Sequence, residues 1–238
     1  MCWSATTSFV TLGIGTLLNI ASYIFLRYRD SPTSLLVWSW HYALLMQLPE
    51  GIVWLQLDDG HSDIAVASRT ALFLNITQPL ALLIGIRFGG LFREFRYAYV
   101  AMLMYFVVIF SQFEEIWTQS ESIAPSTDCP HLNLRYWDTS RGLVYVATSL
   151  LVVSEVRPFF WVAVHSAIFL VTLTIAIVAY PCGVGSVWCW FIFVTGPVLV
   201  LSEEAKRRII SRNTPNVTSV EIVAERPRPV ISWRKPTI

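Results

Sequence analysis

Apolar residues in this chain gather into long blocks, and the connections between the blocks hold most of the charge. Blocks of about 20 residues with few charges read as membrane-spanning helices. Six are clear, at about 4–26, 34–57, 64–86, 97–113, 159–180 and 183–201. A seventh, about 142–156, is built on "GLVYVATSLLVV" and is short for a hydrocarbon layer of about 30 Å. The first block has no basic start, and Arg27 and Arg29 follow it in place of a small-residue cleavage site. It therefore reads as a helix of the mature protein and not as a secretory signal. Composition agrees, since 55% of the residues are apolar and only 14% are charged, too few for an ordinary soluble domain.

Charge placement decides between six spans and seven. Arg27 and Arg29 follow the first block, Arg87, Arg93 and Arg96 the third, Arg157 the fifth, and Lys206, Arg207, Arg208 and Arg212 the last. The alternate connections hold only Arg69, Arg135 and Arg141. Basic residues favour the cytoplasmic side, and dropping the short fifth block would put the basic tail on the wrong side. The expected fold is an all-α integral membrane protein, a bundle of seven transmembrane helices with the N-terminus outside and the C-terminus cytoplasmic. Residues 202–238 form a basic, proline-punctuated tail expected to be extended or disordered, able to meet anionic lipid or a protein partner. No nucleic-acid partner is expected. Asp58, Asp59, Asp63, Glu114, Glu115, Glu121, Asp128 and Asp138 fall on the outer side. They read as a solvated loop set or as an acidic vestibule that concentrates cations.

All four cysteines sort to the outer side or near it: Cys2, Cys129, Cys182 and Cys189. Such clustering on the oxidising face points to a disulfide, with three full pairings open and Cys129–Cys182 favoured; free thiols are the other reading. A metal site built from Cys129, His131 and His61 lacks paired ligand spacing, so no metal is expected.

The chemistry of interest lies within the second block, in "LLMQLPEGIVWLQ", residues 44–56. Glu50 sits where a charge costs about 2.5–3.5 kcal/mol on insertion scales. Gln47 lies one turn before it and Trp54 one turn after, so the three share a face. Pro49 removes a backbone donor and permits a kink. The third block repeats the theme in "LNITQPLALL", where Asn75 and Gln78 share a face beside Pro79. Broken backbone is tolerated at membrane depth where it is buried in protein or lines a wet cavity. Asn19 and His165 are the nearest polar candidates from other helices, whereas His41 faces away from Glu50. Interhelical hydrogen bonding alone is the plainer account of these side chains; an ion, proton or substrate site is the sharper one.

Several classes are excluded or disfavoured. A retinal protein needs a Schiff-base lysine in the last helix, and the only lysines are Lys206 and Lys235, so no cofactor of that kind is expected. The third block ends "LLIGIRFGGLF" without the acidic-Arg-aromatic triplet of G-protein-coupled receptors. Four scattered histidines lack the spacing of a membrane zinc hydrolase, which makes an enzyme the least favoured class. What remains is a small transporter or channel-like protein with Glu50 as its proton- or cation-binding carboxylate. The alternative is a receptor-like or scaffolding protein without transport.

The stretches "MCWSA", "LLMQLPEGIVW", "ITQPLAL" and "GSVWCW" resemble a family of multipass membrane proteins of unknown function that begin Met-Cys-Trp-Ser. That family occurs in large DNA viruses of algae and protists and in some bacteria. The resemblance covers the first three blocks and the last. It implies that Cys2, Trp3, Gln47, Glu50, Gln78, Pro79, Trp188 and Cys189 occupy the family's motif positions. It implies a viral origin as well, but no catalytic residue.

Overall fold

The computed structural model describes residues 4–60, 64–91, 96–120, 139–156, 159–179 and 192–213. Among these the chain is helical, with no β-strand. In order come α1 (Ala5–Tyr28), α2 (Ser34–Leu44), α3 (Gln47–Asp58), α4 (Ala65–Phe88), α5 (Arg96–Ser111) and α6 (Phe113–Ser120). Then follow α7 (Thr139–Ser154), α8 (Phe159–Ala179) and a 3-10 turn, Ile192–Val194, that runs into α9 (Thr195–Asn213). Helix occurs in every block picked out by hydropathy. Three helices, Ala5–Tyr28, Ala65–Phe88 and Phe159–Val178, are long and apolar enough to cross a membrane. Tyr97–Ser111 and Phe113–Gln119, which meet at 65°, would make a fourth.

Four expectations are corrected. The second block is two helices, broken at Leu45 and Met46. The cause is Pro49, whose ring crowds the carbonyl four residues back, at Leu45, and whose missing N–H leaves that carbonyl without its helical donor. The Leu48 amide takes the carbonyl instead, at 3.0 Å, in a tighter turn. Pro79, by contrast, stays inside an unbroken α4. The fourth block ends at Ser111, and the segment after the Gln112 bend, expected to be loop, is α6. The tail does not begin at Ser202, because α9 continues to Asn213. The four cysteines, His61, His131, Trp188 and the chain beyond Asn213 lie outside the described residues.

Local signals set the helix ends. Ser4 caps α1 by accepting the Thr7 amide at 3.2 Å. At its far end the Asp30 amide bonds to the Arg27 carbonyl and the Ser31 amide to the Leu26 carbonyl, with Asp30 at φ 50°. That is the double bond of a Schellman stop, and Asp is one of the few residues besides glycine that tolerate the left-handed position. α4 stops in the same way, with Gly90 at φ 67°.

α1 packs on α2 and α3, α2 and α3 pack on α4, and α4 carries α7, which in turn packs on α5 and α8. Small residues permit the closest approaches. A side chain at Gly85 of α4 would collide with Ser39 of α2, and one at Gly15 of α1 would meet Leu44 at 2.5 Å and Phe193 at 2.9 Å. The two ends of the bundle differ. Gly89, the cap of α4, abuts Pro32 in the α1–α2 turn, and in that same turn Ser31 donates to Glu203 at 3.2 Å. Towards the other end of α4, about 30 Å away at 1.5 Å per residue, Arg69 in the second turn stacks over Trp117 of α6 at 4.5 Å. Glu203 closes the main compact unit. From Glu204 the chain forms a second one, in which Arg208 and Glu204 make an exposed pair at 3.1 Å.

Around an apolar core that includes Leu26, Leu36, Ile86 and Trp161, large apolar side chains are also exposed and several polar ones are buried. Leu17, Phe73, Leu103, Phe110 and Val178 are exposed, while Ser8, Asn19, Gln47, Glu50, Ser68, Asn75, Gln78 and His165 are buried. Exposed apolar surface on this scale is rare on a soluble monomer.

Candidate functional site

Glu50 stands in the first turn of α3, just past the break, and is only 1% exposed. The Gln47 amide donates to its Oε2 at 3.0 Å. Gly51, the next residue, lets the Phe9 ring of α1 lie against the α3 backbone; a Cβ there would meet its Cζ at 2.8 Å. The carboxyl is therefore buried and held by the Gln47 amide. Trp54, one turn further on, is half-buried, and its Nε1 has no acceptor among the described residues.

The α4 pair is organised separately. The Gln78 amide donates to Asn75 Oδ1 at 3.2 Å, and Gln78 Oε1 accepts the Tyr145 hydroxyl of α7 at 2.6 Å. Tyr105 of α5 donates to the Ile76 carbonyl at 3.1 Å, in the turn that Pro79 weakens. A cavity of about 20 Å³ lies beside this pair, lined by Gln78, Tyr145, Ser39, Ser149 and apolar neighbours. That is room for one water molecule, and several polar groups surround it.

Asn19 and His165 are drawn to other partners. The Asn19 amide lies 3.5 Å from His41 Nδ1, so the histidine that faces away from Glu50 meets α1. Gly196, in the first turn of α9, comes so close that a Cβ there would strike Asn19 Oδ1, which accepts no hydrogen bond among the described residues. His165 is fully buried between Trp40 and Trp161, and the Trp40 indole donates to its Nδ1 at 3.4 Å. An indole only donates, so Nδ1 accepts and the ring is neutral with its proton on Nε2. That Nε2 proton finds no acceptor among the described residues.

Residue reasoning missed three partners. Tyr145, in the short block at about 142–156, was not among the polar candidates. Glu203 falls at the end of the last apolar run, yet it is buried against Ser31, whose hydroxyl also pairs with Thr33 at 2.8 Å. Arg141 looked like a loop charge and is 2% exposed. Its Nε donates to Gln112 at 2.7 Å, one terminal nitrogen to Gln119 at 3.0 Å, and the other lies 2.8 Å from Glu115. The Phe113-x-x-Ile116-Trp117 spacing of α6 was the available signal, since it marks one face of a helix.

Two predictions arise here. Tyr145→Phe removes the donor to Gln78 and is expected to lower stability by about 0.6–1.7 kcal/mol, the range measured for interhelical bonds in membranes. Thermal unfolding in detergent reads that change. Arg141→Ala removes three charge-assisted bonds worth about 1.5–3 kcal/mol each at full burial. Because Glu115 is 59% exposed, its share is discounted. The expected result is faster amide exchange and proteolysis in α6, with α1–α4 unchanged.

Compared with models of known families, with curated proteins and with solved structures, the chain matches none.

Proposed function

We propose that this chain is an integral membrane protein of seven helical spans, N-terminus outside and C-terminus in the cytoplasm, that moves a proton or small cation through a site at Glu50. The observation that carries the reading is a carboxyl almost wholly buried at the proline-induced break between α2 and α3 and held by Gln47. An ionisable group so placed in a helical bundle marks an ion or proton pathway by default, because burial without function is costly. The many exposed large apolar side chains support a lipid surround. Pro49 supplies the flexible point, and the unfilled hydrogen-bonding capacity at Asn19 and His165 extends the polar interior into neighbouring helices.

The reading is tested by purified protein in liposomes under an imposed pH gradient, with uptake and current recorded against protein-free vesicles. Flux above the empty vesicles supports it, and its absence from correctly folded protein sinks it. A second reading, a scaffold without transport, is favoured by one observation: Asn75, Gln78 and Tyr145 bond to one another across α4 and α7. It expects no flux, and sensitivity instead to loss of the chain beyond Asn213, which leaves α9 and Glu203 in place.

A further inference from the structure

A groove of about 670 Å³ opens between α2 and α4, lined by Trp38, Tyr42, Phe73, Ala81, Ile84 and Phe88 among others. From Phe73 to Phe88 it follows α4 for about 22 Å at 1.5 Å per residue. One leaflet of hydrocarbon is about 15 Å deep, half of a 30 Å core, so the groove is long enough to hold a whole lipid chain.

Its lining asks for hydrocarbon. Three hydroxyls reach it: Ser39 is buried at the floor, and the other two are hydrogen-bonded along α4. Thr77 donates to the Phe73 carbonyl at 2.6 Å, which leaves Tyr42 to donate to Thr77, also at 2.6 Å. Apart from these hydroxyls and the Trp38 indole, the rest of the lining is apolar. The concave shape arises because Ser39 and Gly85 draw the two helices together at its floor while Trp38, Phe73 and Phe88 stand out at its rims.

The two ends are not alike. At the Phe88 end stand Arg87, in the last turn of α4, and Arg27, in the last turn of α1, both exposed. The Gly89–Pro32 contact brings these helix ends together. Arg29 is at the same end, stacked on Phe25, and the acids there are exposed Asp30 and buried Glu203. Among the described residues three arginines stand there beside two acids, which matches an anionic headgroup above a chain that runs down the groove.

We propose that the α2–α4 groove binds one anionic phospholipid, with an acyl chain along Phe88 to Phe73 and its phosphate at the Arg27 and Arg87 end. The site rests on the membrane reading above but not on transport. A bound lipid there would brace the break at Leu45 and Met46 from outside, since α2 forms one wall.

The test places the full-length protein in nanodiscs of phosphatidylcholine containing phosphatidylglycerol, then re-extracts it in mild detergent for native mass spectrometry. One phosphatidylglycerol should stay with each wild-type chain. Ala81→Trp, which fills the groove, should cut retention about tenfold, a change of about 1.4 kcal/mol. Ile84→Trp on the exposed rim should do the same, and guards against misfolding of the first variant. Arg87→Ala should lower the preference for the anionic lipid about fivefold. Equal retention in both tryptophan variants, equal retention of phosphatidylcholine, a retained sterol, or a dimer in place of a lipid adduct would each overturn the proposal. Alkaline carbonate separates the two layers of the argument. Protein stripped from membranes by carbonate contradicts the membrane reading itself, whereas protein that resists and keeps no lipid contradicts only the groove.

Discussion

Glu50→Gln is expected to reduce proton or cation flux at least about tenfold while leaving the fold intact. The substitution keeps the shape of the side chain and one carbonyl oxygen, so the 3.0 Å bond from Gln47 survives. It removes the ionisable oxygen, and with it the ability to take up a proton or to offer a cation a negative charge at the break. Loss of a charge-assisted bond in favour of a neutral one should change stability by no more than about 1.5 kcal/mol. Glu50→Leu is the instructive contrast. It strips Gln47 of this acceptor in a buried position, at a cost of about 1–3 kcal/mol, and it should lose stability and flux together. A protein that only uses Glu50 to hold helices would rank these two variants by stability alone, with Glu50→Gln close to wild type in every respect.

The second large effect is expected at Gly85. Helices in lipid associate through close backbone contact where residues are small, and a Cβ on Gly85 of α4 would overlap the Ser39 hydroxyl of α2, with Ser39 Cβ at 3.1 Å and the Leu35 carbonyl at 3.3 Å. Gly85→Leu must push α2 away, at the overpacking cost of about 1–3 kcal/mol or more. Because α2 leads directly into α3, the displacement should reach the Leu45–Met46 break. Unfolding temperature in detergent should fall sharply in Gly85→Leu and less in Gly85→Ala. Pairing Gly85→Ala with Ser39→Gly should restore part of the loss, since the hydroxyl in the way is then gone. Additive losses in the double variant would show that the two residues do not meet as described.

Much of the helical layout was legible because hydropathy blocks and helices have a common cause: apolar side chains and internally satisfied backbone. The polar pairs were legible too. Gln47 with Glu50 and Asn75 with Gln78 stand three residues apart, and such neighbours meet on any helix. Legibility ended where an effect acts at a distance along the chain or across it. Pro49 marks the site, but its clash falls four residues earlier, so the break appears at Leu45 and not at the proline. An identical signal at Pro79 produces no break, and Tyr105 donates to the carbonyl of Ile76 just ahead of it. Arg141 gave no hint of burial, because its three partners belong to a bend and a short helix some twenty to thirty residues away. His41 and Asn19 likewise meet only because α1 packs on α2.

The central claim is that the buried carboxyl at the α2–α3 break carries transport. The most direct measurement is flux under a pH gradient in liposomes, with wild type and Glu50→Gln reconstituted at equal density and matched for unfolding temperature. A wild-type flux that disappears in Glu50→Gln is the predicted result. Equal flux in both, or none in either while both remain folded, would contradict the claim and leave Glu50 as a structural partner of Gln47.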